Sequence, residues 1–197
     1  MCKSLRLWQT APVSYSRSSK PLTADPAWRS STSLQAAGLP ASVRPWLLDE
    51  GSLTARLIDK SQGEFRVQRL HQGWQRPLLS EQRLLGLGAA QWALVREVVL
   101  RCFDQPWVYA RSIIPASTLS GKLRRLRHLQ NESLGELLFQ HPKLMRDEFE
   151  LALLPPGSTY IHSSLQQDSP AWARRSRFIL DGRALMVSEV FLQQFQA

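Results

Sequence analysis

Two apolar runs separated by only four residues constrain the fold more than any other feature. WALVREVVLRC (residues 92–102) and WVYARSII (107–114) are rich in β-branched and aromatic residues. FDQP between them is too short for anything but a hairpin, so the two strands must run antiparallel. Near the C-terminus the runs 172–180 and 184–192 are joined through DGR, a strong tight-turn signal. EFRVQRLHQGW alternates Phe65, Val67 and Arg69 against Arg66, Gln68 and Leu70 and reads as a further strand.

Between the strands lie shorter helical patterns. PWLLDEGSLTARLID suggests two short helical pieces broken at Gly51, the second capped by Ser52 or Thr54. Residues 78–90 fit a loop with one helical turn. In STLSGKLRRLRHL, Leu119, Leu123 and Leu126 stripe one face while Lys122, Arg124, Arg125 and Arg127 cover the rest, a helical arrangement. SLGELLF places Glu136 three residues after Ser133, a capping box that starts a short helix. LMRDEFELALL fits a helical turn or a strand, and PPGSTYIHSSLQQDSP is a long polar loop. Strands with helices inserted between them, and no internal repeat, give an α+β class.

Composition narrows the function. A chain of 197 residues, 43% hydrophobic and 21% charged, can bury one substantial core. No apolar run approaches the roughly 18 residues of a membrane span, so no integral membrane segment is expected. Cys2 and Cys102 make neither a disulfide framework nor a metal cluster, which fits a reducing cytoplasm. The net charge of +9 invites a polyanion partner. Yet Lys3, Arg6, Arg17, Lys20 and Arg29 stand against Asp25 alone in the first 40 residues, so this segment holds +4 of the charge. The remaining +5 serves solubility or the steering of a small anion equally well. WARRSR and KLRRLRH have the composition of phosphate-binding patches, and also that of solvated faces. Residues 1–25, rich in Ser and Pro, read as a flexible leader, and residues 26–197 as the folded domain.

Three strands each place one ionisable residue among large apolar neighbours. Arg96 shares a face with Leu94, Val98 and Leu100; Arg111 with Trp107, Tyr109 and Ile113; Glu189 with Leu185, Val187 and Phe191. Buried charges are paired or liganded. Either these are ion pairs, for instance Arg96 with Glu189, or the charged faces are wet, or the three line a pocket. Two arginines and a carboxylate in an apolar hollow suit a small ligand with carboxylates and a hydroxyl, because each guanidinium forks onto a carboxylate. His71, His128, His141 and His162 are scattered without ligand spacing, and GxSxG, P-loop and HExxH motifs are missing from the sequence.

WLLDEGSLTARL, WALVREVVL, PWVYARSIIPASTLSG, SLGELLF, WARRSRF and LMVSEVFL, in this order and spacing, resemble the chorismate pyruvate-lyase family over about residues 26–194. The resemblance implies conversion of chorismate to 4-hydroxybenzoate and pyruvate for ubiquinone biosynthesis, with no metal or organic cofactor. It implies a single antiparallel sheet, here of about six strands, with helices packed on it and helical flaps over an internal site. It assigns carboxylate binding to Arg96, hydroxyl binding or proton transfer to Glu189, and flap contacts to Leu53, where the family usually has Met, and to Leu134. Arg111 matches a further family arginine, expected to hold the enolpyruvyl carboxylate. The expected partners are therefore chorismate and 4-hydroxybenzoate, with no nucleic acid, and the expected state is a monomer. The rival reading is a non-catalytic effector-sensing domain of the same fold. A DNA-reading segment ahead of it would need helical periodicity, which the first 40 residues lack. Docking of residues 122–128 on an anionic membrane is a further alternative.

Overall fold

The computed structural model describes residues 23–36 and 38–197. Residues 1–22, most of the expected leader, lie outside the described residues. Two of the next three residues are tied to the body: the backbone N–H of Ala24 donates to Thr159 Oγ1, and the Asp25 carboxylate accepts from the N–H and hydroxyl of Ser80.

The elements run β1 (Arg29–Ser30), α1 (Ser31–Ala36), α2 (Arg44–Leu47), α3 (Leu53–Lys60), β2 (Phe65–Gln75), α4 (Leu79–Leu85), β3 (Ala93–Cys102), β4 (Gln105–Pro115), α5 (Leu134–Phe139), β5 (Met145–Arg146), β6 (Glu150–Leu154), β7 (Ala171–Leu180) and β8 (Arg183–Phe191). They build one antiparallel sheet of eight strands in the order β1-β6-β7-β8-β4-β3-β2, with β5 paired to β7. The α+β reading holds. The two strands beyond the expected six are the two-residue β1 and β5, too short to leave a periodic trace.

Both expected hairpins form. Phe103 and Asp104 both take positive φ (49° and 60°), so the β3–β4 turn is a two-residue loop that matches the twist of the strands. Asp181 and Gly182 do the same between β7 and β8. Ser52 caps α3 by accepting from the N–H of Ala55, and Ser133 caps α5 by accepting from the N–H of Glu136. Residues 121–128 are helical as expected but wind as a 3₁₀ segment, with Leu123 and Leu126 buried and Arg124 and Arg125 exposed.

Apolar residues recur on both faces of β3 because both faces of the sheet are covered. On one face α2, α3, α5 and the 3₁₀ segment set Trp46, Leu47, Leu57, Leu126 and Leu138 over Val98, Val108 and Phe178. On the other, α4 and the loop after β6 set Leu85, Tyr160, Ile161 and Leu165 over Val95, Tyr109, Ile113 and Val190. No helix among the described residues is long and apolar enough to cross a membrane.

Candidate active site

On the first face the packing between sheet and helices is incomplete, and the gap is lined by charge. Leu53 and Thr54 of α3 and Leu134, Gly135 and Leu138 of α5 close over it. Arg96 and Val98 of β3, Ala110 and Ser112 of β4, Val187 and Glu189 of β8, Arg174 and Phe178 of β7, and Arg146 of β5 form the floor and walls. The cavity measures about 40 Å³. That is room for a few waters, less than a ring bearing two carboxylates occupies. The two helices are latched by a 2.7 Å hydrogen bond between the hydroxyls of Thr54 and Ser133. Outside the latch an open groove of about 970 Å³, lined by Arg125, Glu132 and Glu136, shares Val67 and Ser133 with the cavity.

Arg96 answers the first question posed by the strands. It is 1% exposed, and its partners are all neutral: Nε donates to Leu129 O (3.2 Å), and Nη2 to Gln130 O (3.3 Å) and Glu132 O (2.7 Å). Nη1 makes no hydrogen bond among the described residues, and Arg96 lines the cavity. Burial, with Arg69 nearby, pulls its guanidinium down to about 10 against the pull of Glu132. It stays charged at neutral pH and forms no salt bridge among the described residues.

Glu189 does not pair with Arg96. Its Oε2 accepts from Arg174 Nε at 2.6 Å, across the direct Arg174↔Glu189 register of β7 and β8. Arg174 also donates from Nη1 to the carbonyls of Trp46 (2.7 Å) and Asp49 (2.9 Å), the chain entering α3. Oε1 of Glu189 makes no hydrogen bond among the described residues. The strand expected to offer only a solvated or phosphate-binding basic patch, WARRSR, thus contributes a buried cavity residue, and Arg175 on the opposite face is equally buried. Arg146 donates from Nε to Ser176 Oγ (3.1 Å) and from Nη1 to Glu50 O (3.2 Å), over the ring of Phe149 at 4.0 Å.

Arg111 does not join this cavity. It is 4% exposed on the other face of the sheet. Its Nε and Nη2 fork onto Glu81 (2.8 and 3.3 Å) and its Nη1 bonds Glu97 (2.6 Å). Burial alone would pull the guanidinium down, but the Glu81 carboxylate outweighs it and lifts it above its ordinary range. The physical reason for the placement is one residue of register. Counted outward from the Cys102↔Gln105 pair, an unbroken ladder would set Arg111 directly opposite Arg96. A bulge between Leu100 and Arg101 shifts the ladder, so Arg96 faces Ser112 and Arg111 faces Glu97. A one-residue slip moves a side chain to the other face.

The sheet therefore carries Arg96, Glu189, Leu53 and Leu134 into one enclosed hollow, adds Arg174 and Arg146, and sends Arg111 away. Fold and site together define a single-sheet α+β protein with a guanidinium-lined hollow beneath two short helices. The comparisons sharpen this. A family model for chorismate lyase matches residues 22–196. A probable chorismate pyruvate-lyase of Methylococcus capsulatus is 41% identical over 149 residues, covering 75% of this chain and 92% of that one. One of Pseudomonas entomophila is 43% identical over 147 residues, covering 75% and 78%. The chain belongs to the chorismate lyase family and is an enzyme of the lyase class. Among solved structures, PhnF from Mycobacterium smegmatis has a TM-score of 0.54 at 16% identity over 76% of this chain and 67% of that one. Its effector domain alone gives 0.53 at 16%, over 74% and 91%. These two share the fold.

Proposed function

We propose that the protein eliminates pyruvate from chorismate to leave 4-hydroxybenzoate, the precursor of the ubiquinone ring, inside the cavity beneath α3 and α5. The observation that carries this reading is a buried Arg96, in no salt bridge among the described residues, lining the same part-enclosed hollow as the ion-paired carboxylate of Glu189. Arg96 on β3 and Arg174 on β7 are separated by β4 and β8, or roughly 14 Å at the backbone, which leaves a ring's width between the side chains.

In this arrangement Arg96 Nη1 holds the ring carboxylate, which the product retains. Glu189, kept as an acceptor by Arg174, takes the hydrogen bond of the C4 hydroxyl through its free Oε1. The C3–O bond breaks, the hydrogen on C4 leaves as a proton, and that proton ends on the methylene carbon of the departing enolpyruvyl group, which becomes pyruvate. No water, oxidant or reductant is consumed. Aromatisation supplies the driving force, so the protein's task is to orient the ring and control charge. Leu53 and Leu134 close over it and exclude water, which strengthens each polar contact.

Purified protein incubated with chorismate and a chelator should release 4-hydroxybenzoate and pyruvate in equal amounts, followed by absorbance. Binding of chorismate without conversion would favour the effector-domain reading instead.

A further inference from the structure

Chorismate carries two carboxylates, and on the reading above Arg96 meets only one. The cavity holds three guanidiniums, Arg96, Arg146 and Arg174, against the single carboxylate of Glu189, a formal surplus of +2. Arg174 is neutralised by its 2.6 Å pair with Glu189. Arg146 forms no salt bridge among the described residues: its direct contacts are a hydroxyl, a carbonyl and the faces of Phe149 at 4.0 Å and Phe178 at 5.0 Å, while the carboxylates of Glu189, Asp49 and Glu50 act on it only at longer range. Its Nη2 makes no hydrogen bond among the described residues. A cavity wall with more guanidiniums than carboxylates, one of them outside any ion pair, suits an anionic group.

We propose that Arg146 binds the enolpyruvyl carboxylate of the substrate and stabilises the negative charge that develops on the leaving group. This rests on the chorismate reading and fills the role that Arg111, on the far face, cannot take. Position supports it. Arg146 and Arg174 flank Glu189, so an anion on Arg146 lies beside the C4 substituent and across the cavity from Arg96. Ser176 and the Glu50 carbonyl hold two of its nitrogens and leave the third to the ligand. Burial draws its guanidinium down to about 10, with Arg174 adding to the fall and Glu189, Asp49 and Glu50 opposing it. Because the product has lost the enolpyruvyl group, Arg146 discriminates substrate from product, and Arg96 does not.

The test compares chorismate turnover with 4-hydroxybenzoate binding in wild type, Arg146→Gln and Arg146→Lys. Arg146→Gln should lower kcat/KM for chorismate by about a hundredfold or more, while the Kd for 4-hydroxybenzoate moves by less than about threefold. Arg146→Lys, which keeps the charge and loses the fork, should fall between. If Arg146→Gln does not fold, Arg146→Lys is judged by the same ratio. Turnover retained, or turnover and product affinity lost in equal proportion, would overturn the assignment. A wild type that binds 4-hydroxybenzoate but never converts chorismate would instead sink the reaction itself.

Discussion

Arg96 and Arg111 sit fifteen positions apart on one hairpin, each in a nearly dry wall of the sheet, and the difference lies in their partners. Arg111 is closed upon itself by Glu81 and Glu97, and Glu81 is fully buried. Arg111→Ala leaves those carboxylates unanswered, which costs about 3–5 kcal/mol, a large share of a typical domain's stability of about 5–15 kcal/mol. We expect a lower Tm with an unchanged Kd for 4-hydroxybenzoate in the molecules that remain folded. Arg96→Ala should do the converse. Loss of its pair with the ring carboxylate costs about 2–5 kcal/mol of ligand affinity, at least about thirtyfold in Kd by calorimetry. If Arg111→Ala weakened the product as much as Arg96→Ala, the division of roles between the two faces would be wrong.

Among the elements, α3 and α5 are the ones that cover the cavity. Gly135 lets them approach: a Cβ there would come within 3.2 Å of Thr54 Oγ1. The Thr54–Ser133 hydrogen bond then fastens the closed state. Thr54→Val keeps the shape and removes the bond, worth about 1 kcal/mol. The off-rate of 4-hydroxybenzoate, measured by stopped flow, should rise about fivefold, and an unchanged rate would mean that closure does not depend on this latch. The caps of both helices were legible in the sequence, since Ser52 and Ser133 precede apolar periodic runs. The strand faces were not. A strand buried on both sides, such as β3, lacks the apolar–polar alternation that would fix its register, and a bulge leaves no compositional mark. For the same reason the two arginines of WARRSR read as one basic patch, although alternation along β7 sends Arg174 into the cavity and Arg175 to Glu150 on the other side. Arg146 escaped notice because β5 is two residues long and borrows its order from β7.

For the molecule as a whole, a sheet covered on both faces offers two places for a ligand. One is the enclosed hollow of Arg96, Glu189, Arg174 and Arg146. The other is an open cleft of about 490 Å³ beside Arg111, lined also by His71, Glu97, Tyr160 and His162. In the cleft the guanidinium is ion-paired to Glu81 and Glu97, whereas in the hollow Arg96 and Arg146 form no salt bridge among the described residues, which supports the proposal that the hollow takes the dianion. The fold is shared with the PhnF effector domain; the chemistry comes from the side chains set into it. A crystal structure with 4-hydroxybenzoate bound tests this most directly. The product's carboxylate should lie within hydrogen-bond distance of Arg96 Nη1 and its hydroxyl beside Glu189 Oε1, with Leu53 and Leu134 closed over the ring. Product found in the cleft beside Arg111, with the hollow holding only water, would contradict the account.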